Sequence, residues 1–222
     1  MNLVNLQELR HSKIEIEVVT FNNIEFYFTR SKPMDFAELL IKRRSIREFT
    51  EKEVSLDLVK EIINESVLAP NGSNLQPWSF IIVKNKDMIK RISDSSKHAL
   101  LNWIKEDSNS PAKEYEYILS YEEFNVFFNA SCLVLIAGPS EGVLTIEMDC
   151  AAAACYFMFL ATSKGLGTCW IGLGAAITDP VLQKEIGLPE GYKVYVPIIV
   201  GYPTDIPAIP PREEPKILKV IP

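Results

Sequence analysis

The chain has 222 residues, 47% hydrophobic and 23% charged, a globular balance that excludes a disordered tail protein and allows one sizeable core or two small domains. Its 23 Lys and Arg against 29 Asp and Glu leave a net charge of −6, which argues against nucleic acid as a partner. Mean hydropathy is high at +0.06, yet the longest uncharged apolar stretch, Cys150 to Thr162, falls short of the ~20 residues that span a bilayer. It reads as a helix buried on most of its faces, and no membrane is expected. The N-terminus carries no apolar signal region. Cys132, Cys150, Cys155 and Cys169 sit among apolar or small residues at no metal-like spacing. They read as reduced core thiols of a cytoplasmic protein, with no metal.

Lys13 to Thr20 and Ile24 to Thr29 alternate polar and apolar residues around Asn22-Asn23, the pattern of a β-hairpin. Ser31-Lys32-Pro33 breaks it, so residues 1–33 form an N-terminal hairpin extension and the main domain covers 34–222. Asp35 is placed to cap a helix to Arg44 with Phe36, Leu39 and Leu40 at core spacing. A second helix starts at Ser55, with Leu56, Val59, Ile62, Ile63 and Val67 in one stripe, and Pro70-Asn71-Gly72 ends it. Ser79 to Val83 is a short buried strand, and 86–129 is helical but broken around Asp107 to Pro111. Cys132 to Ala137 is a strand, Thr145 to Lys164 a long helix, Thr168 to Ile171 strand-like, and Thr178-Asp179-Pro180 opens another helix. Tyr192 to Val200 is the last core strand, and six prolines after Gly201 suggest an extended arm. Few all-apolar strands among long helices favour a sheet covered by helices on both faces.

Three segments offer chemistry. Arg43-Arg44-Ser45-Ile46-Arg47 packs three guanidiniums and a hydroxyl into five residues, a donor set for phosphate. It also reads as a solvated basic helix end, favoured by the helix dipole, which would oppose an anion there. Ala69 to Trp78 (APNGSNLQPW) reads either as a capped turn over a buried Trp or as polar groups reading the edge of a planar ring. Gly165 to Gly172 (GLGTCWIG) is either a helix stop before a strand or a place where backbone approaches a flat ligand. Neither histidine, His11 nor His98, lies in these segments.

In this order the three segments, with Gly201-Tyr202-Pro203 and the downstream Arg212, resemble the FMN-dependent nitroreductase family from about Met34 to Arg212. The resemblance implies an α+β fold, an αβα sandwich with a central mixed, mainly antiparallel sheet covered by helices. It also implies an obligate homodimer with FMN at the subunit interface. By position, Arg43, Arg44 and Ser45 would contact the phosphate and ribityl chain, and Arg47 would place a cation near the flavin pyrimidine edge. Ser73, Asn74 and Gln76 match the segment that often reaches the partner's flavin. Gly172 and Leu173 match the backbone facing the flavin, and Arg212 the arginine that closes over the phosphate. Phe124, Phe127 and Phe128 stand in the variable lid region, where they would line a substrate pocket or form dimer core. No catalytic side chain is required, because the flavin carries the chemistry. The implied activity is hydride transfer from NAD(P)H through FMN to nitroaromatic, quinone or related acceptors by a ping-pong route. The same fold also hosts flavin cleavage, dehalogenation and enone reduction, and a non-catalytic flavin- or partner-binding protein is a further reading. The Cys spacing of an iron–sulfur cluster is missing, so none is expected.

Overall fold

The computed structural model describes residues 15–21, 24–30 and 34–222; the expected Asn22-Asn23 turn, the break at 31–33 and His11 lie outside them. The first two strands, β1 (Glu15–Phe21) and β2 (Ile24–Arg30), pair antiparallel from Glu15 opposite Arg30 to Phe21 opposite Ile24.

The rest is built around one four-stranded sheet. Its strands are β3 (Ser79–Val83), β4 (Cys132–Pro139), β5 (Gly167–Trp170) and β6 (Tyr192–Gly201), in the order β3-β4-β6-β5 and antiparallel throughout. Every residue of β4 from Cys132 to Gly138 is buried, because its side chains feed two separate cores. Leu133, Leu135 and Ala137 meet α3 (Lys86–Glu106) on one face. Cys132, Val134 and Ile136 meet α2 (Leu56–Ser66) and α5 (Ile146–Ser163) on the other. In β6, Val194 faces the first core and Val196 the second. The ladder shifts register there, with Ile136 opposite Val196 and Ala137 opposite Val194, so Tyr195 is a bulge residue that re-aims the strand.

The segment after α1 (Phe36–Lys42) closes the β5 edge. Ser45 makes a parallel bridge to Thr168 and the Ile46 N–H donates to Thr168 O at 2.9 Å. This gives the expected mixed character to an otherwise antiparallel sheet. Phe49 then bridges antiparallel to Pro203. The approach is close: a Cβ on Gly167 would stand 2.8 Å from Ile46 Cγ1, so a side chain at 167 would push the arginine segment off the edge.

Three expectations change. Helix α1 stops at Lys42 rather than Arg44, because Arg43 turns extended (ψ 115) to run along β5, and the Asp35 side chain makes no capping bond. No α1 residue is buried, and Phe36 is 63% exposed; its stripe rests at the rim of α5, the Phe36 and Phe159 rings 6.0 Å apart, rather than in the core. Helix α5 is covered on most of its faces, but Met148, Cys155 and Tyr156 form an exposed strip, so Cys155 is not a core thiol. By length and composition α5 passes for a membrane span, but its other side packs on the sheet and α2. The broken helical region resolves into one long α3, a short 3-10 turn (Pro111–Tyr115) and α4 (Glu116–Leu119). Helix α6 (Pro180–Glu185) starts as expected, Asp179 accepting from the Val181 N–H at 2.9 Å. Residues 204–222 are exposed and without regular secondary structure.

Candidate functional site

The arginine segment divides its side chains between core and surface as it leaves α1. Arg44 is only 8% exposed. One terminal nitrogen donates to Leu40 O at 2.8 Å, closing the helix end. Its Nε is buried without a partner, and so is Thr168 Oγ1 on the bridged strand. Buried polar atoms are rarely left unpaired. Burial, then the like charges of Arg43 and Arg212, push the Arg44 pKa down from its ordinary value. The C-terminal segment therefore brings Arg212 into the field of the cluster, 168 positions on from Arg44. Crowded guanidiniums with an orphaned donor are a site that an anion would relieve.

Arg47 points the other way, exposed, with its guanidinium 5.6 Å from the centre of the Phe128 ring, a cation–π distance. It borders a cleft of about 460 Å³ shared with Phe124, Phe128, Trp170, Gly172 and Leu173. Gly172 and Leu173 open a 3-10 turn (Gly172–Ala175), whose first N–H groups have no acceptor within the turn. A Cβ on Gly172 would meet nothing within 4 Å, so the backbone there faces open space. The Phe124 and Phe128 rings meet edge to face at 5.9 Å. Phe128 holds φ 52 and Asn129 φ 54, a left-handed conformation that costs a bulky residue about 1–2 kcal/mol. The Asn125 side chain supports that bend, accepting from the Phe127 N–H at 2.9 Å and donating to Asn129 Oδ1 at 3.1 Å.

Phe127 does not line the cleft. It is fully buried in the core above α3, where a Cβ on Gly174 would come within 2.3 Å of its ring. Neighbours 127 and 128 diverge because the chain bends between them.

Ser73, Asn74 and Gln76 are exposed, all with positive φ (51, 55 and 47), and are not among the residues lining the cavities at Arg47. Within one chain, then, the turn lies outside the cavities that Arg47 borders. Its anchor was not legible beforehand: buried Asp149 accepts from the Gly72 N–H at 3.0 Å and from Thr145 Oγ1 at 2.8 Å. A buried acid just ahead of the apolar run of α5 is the one sequence signal for it.

Cys169 is buried between these parts, its pKa raised by burial against the pull of Arg47, the Ser45 side chain and Arg43. Burial pushes Cys132 up to about 11, and burial with Asp149 pushes Cys150 up to about 12, so all three are held as thiols. Among the described residues no cluster of His, Cys, Asp and Glu is placed to hold a metal.

A crowded cationic corner, an apolar cleft with free backbone donors, and a cation over its rim fit a flat, anion-bearing cofactor such as FMN. The family model described as "Nitroreductase family" matches residues 40–202. A protein of Archaeoglobus fulgidus, whose name pairs NADH dehydrogenase with NAD(P)H nitroreductase, is 25% identical over 76% of this chain and 85% of its own. Iodotyrosine deiodinase 1 of Rattus norvegicus is 24% identical over 92% of this chain and 75% of its own. Among solved structures, an FMN-bound nitroreductase of Bacteroides fragilis shares the fold, with a TM-score of 0.69 and 24% identity over 84% of this chain and 97% of that one.

Proposed function

The chain belongs to the nitroreductase family, and from that premise we propose that it is an FMN-dependent oxidoreductase taking hydride from NAD(P)H and reducing a flat aromatic acceptor, nitroaromatic or quinone, by a ping-pong route. The observation that carries this reading is the buried, unpartnered Nε of Arg44 in the field of Arg43 and Arg212, at one end of a segment whose other end, Arg47, borders the apolar cleft. When bound, FMN would supply the redox chemistry, accepting hydride and giving up electrons at one face.

The chain's own groups bind, orient and exclude water. Arg43, Arg44 and Arg212 would neutralise the phosphate, with Ser45 beside them. Arg47 would set a positive charge against the ring, favouring its reduced, more negative form. The N–H groups of Gly172 and Leu173 would meet the ring edge, while Phe124 and Phe128 would wall the acceptor side. The family name and the name of the Archaeoglobus relative support NAD(P)H as the donor.

The function needs a second copy of the chain. An exposed apolar strip on α1 and α5 (Phe36, Leu40, Met148, Tyr156) and apolar tail residues such as Ile217 and Leu218 support a homodimer, in which Ser73, Asn74 and Gln76 would reach the partner's flavin. The hairpin is then an extension to a domain beginning at residue 34, and free cysteines support a cytoplasmic setting. A second reading, reductive dehalogenation of a halogenated aromatic, is supported by the deiodinase match over 92% of the chain.

The test is spectroscopic. The purified chain, as isolated or after incubation with FMN, is expected to show bound-flavin absorbance that NADH or NADPH bleaches without oxygen. Adding a nitroaromatic, a quinone or 3-iodotyrosine then selects between the two readings by which one restores the colour. A chain that takes up no FMN overturns both.

A further inference from the structure

We propose that Ser93, Ser96 and above all Lys97 are positioning residues, fixing both walls of the cleft from the helix beneath it and so setting which acceptors fit; only the activity part rests on the flavoenzyme reading. All three are buried, Lys97 at 7% exposure. They stand at i, i+3 and i+4 on one face of α3, where Ile89, Ile92, Leu100 and Ile104 are otherwise apolar.

The Lys97 ammonium has three protons, and each finds a carbonyl: Tyr121 O at 2.9 Å, Glu122 O at 3.0 Å and Phe124 O at 2.9 Å. These carbonyls converge in the turn just past the end of α4. A buried cation is tolerable only when so fully partnered. One turn nearer the N-terminus of α3, on the same face, Ser93 Oγ accepts from the Val126 N–H at 3.0 Å. Together these four bonds fix 121–126, the stretch that presents Phe124 to the cleft and leads into the strained bend at Phe128. Ser96 Oγ donates to Gly174 O at 3.3 Å, tying the opposite wall, the turn that carries Gly172 and Leu173, to the same helix. Wall spacing therefore passes through α3. The 121–124 turn has no strand pairing of its own, so losing the ammonium frees this wall first.

Lys97→Met keeps the length of the side chain and removes the three donors. In the full chain without added flavin, amide exchange over 119–128 is expected to quicken about tenfold, with β4 unchanged. In the FMN-loaded enzyme, KM for p-nitrobenzoate should rise about fivefold or more while kcat and the rate of flavin bleaching by NAD(P)H hold. A folded variant with unchanged exchange at 119–128, or with unchanged KM, overturns the proposal. If Lys97→Met does not fold, Ser93→Ala should quicken exchange at the same peptides about threefold, and no change there overturns it equally. Should the wild-type chain take up no FMN, the flavoenzyme reading fails by itself, and exchange alone decides whether α3 positions the wall.

Discussion

The two ends of the candidate site are held by different physics. At the cationic end, charge is concentrated: Arg44 is buried, its Nε lacks a partner, and the like charges of Arg43 and Arg212 act on it. At the cleft end, charge is scarce and shape decides. Phe127 fills the core against Gly174, Phe128 is bent outward at φ 52, and Arg47 lies over its ring. The cationic end would thus be stabilised by an anion bound there, whereas the cleft end is preorganised by its own packing. A ligand with a phosphate and a flat ring uses both, and one lacking the phosphate uses only the second. Riboflavin, which is FMN without its phosphate, therefore separates the two ends.

The largest effect is expected at the cleft end, from Gly174→Ala. The added Cβ would stand 2.3 Å from a fully buried ring, and neither the ring nor the turn backbone can retreat cheaply. Overpacking of this kind costs about 3 kcal/mol, the upper part of its usual range, and urea unfolding measures it. Because the turn carrying Gly172 and Leu173 shifts, affinity for FMN and riboflavin should fall by the same factor. A loss confined to FMN would mean that the two ends are not independent.

Arg44→Met comes next and works at the opposite end. Losing a charge-assisted contact to phosphate removes about 1.5–3 kcal/mol. FMN affinity should then fall about ten- to a hundredfold while riboflavin affinity stays put, as fluorescence titration would read. Equal losses for both ligands would take Arg44 out of the anion site and leave it the helix-closing bond to Leu40 O.

The contrast between the ends also explains what the sequence could tell. Strands β3, β4 and β6 were legible because unbroken apolar runs have few alternatives in a doubly covered sheet. The arginine segment was legible as chemistry, but its placement on the β5 edge was not. A single parallel bridge at Ser45 depends on Gly167 making room, and no local pattern announces it. Helix α1 misled because Phe36, Leu39 and Leu40 have core spacing, yet their counterpart is an apolar strip on α5 that is itself exposed. Periodicity identifies an apolar face without saying which surface covers it. Phe127 and Phe128 looked alike for a related reason: only the left-handed backbone at 128 sends one ring to the core and the other to the cleft. Lys97 was missed because its partners are the backbone carbonyls of 121, 122 and 124, which leave no residue-type signature, and Asp149 because its distant partner is a backbone group too, the Gly72 N–H.

The smallest effect is expected from Arg47→Ala, and its smallness is informative. In the free chain Arg47 is exposed and its visible contact is with the Phe128 ring, worth about 0.5–1 kcal/mol at an exposed site. The melting temperature should therefore move by only about 1–4 °C. Bound ring should feel the change more: without a cation at the cleft rim, the negative charge gained on reduction has no counter-charge there. FMN and riboflavin should weaken together by a few fold, and the reduction potential of the bound flavin should fall. A potential that stays constant would give Arg47 to the Phe128 wall alone. The charge acting on the ring would then have to come from the cationic end, and the two ends would be electrostatically one site.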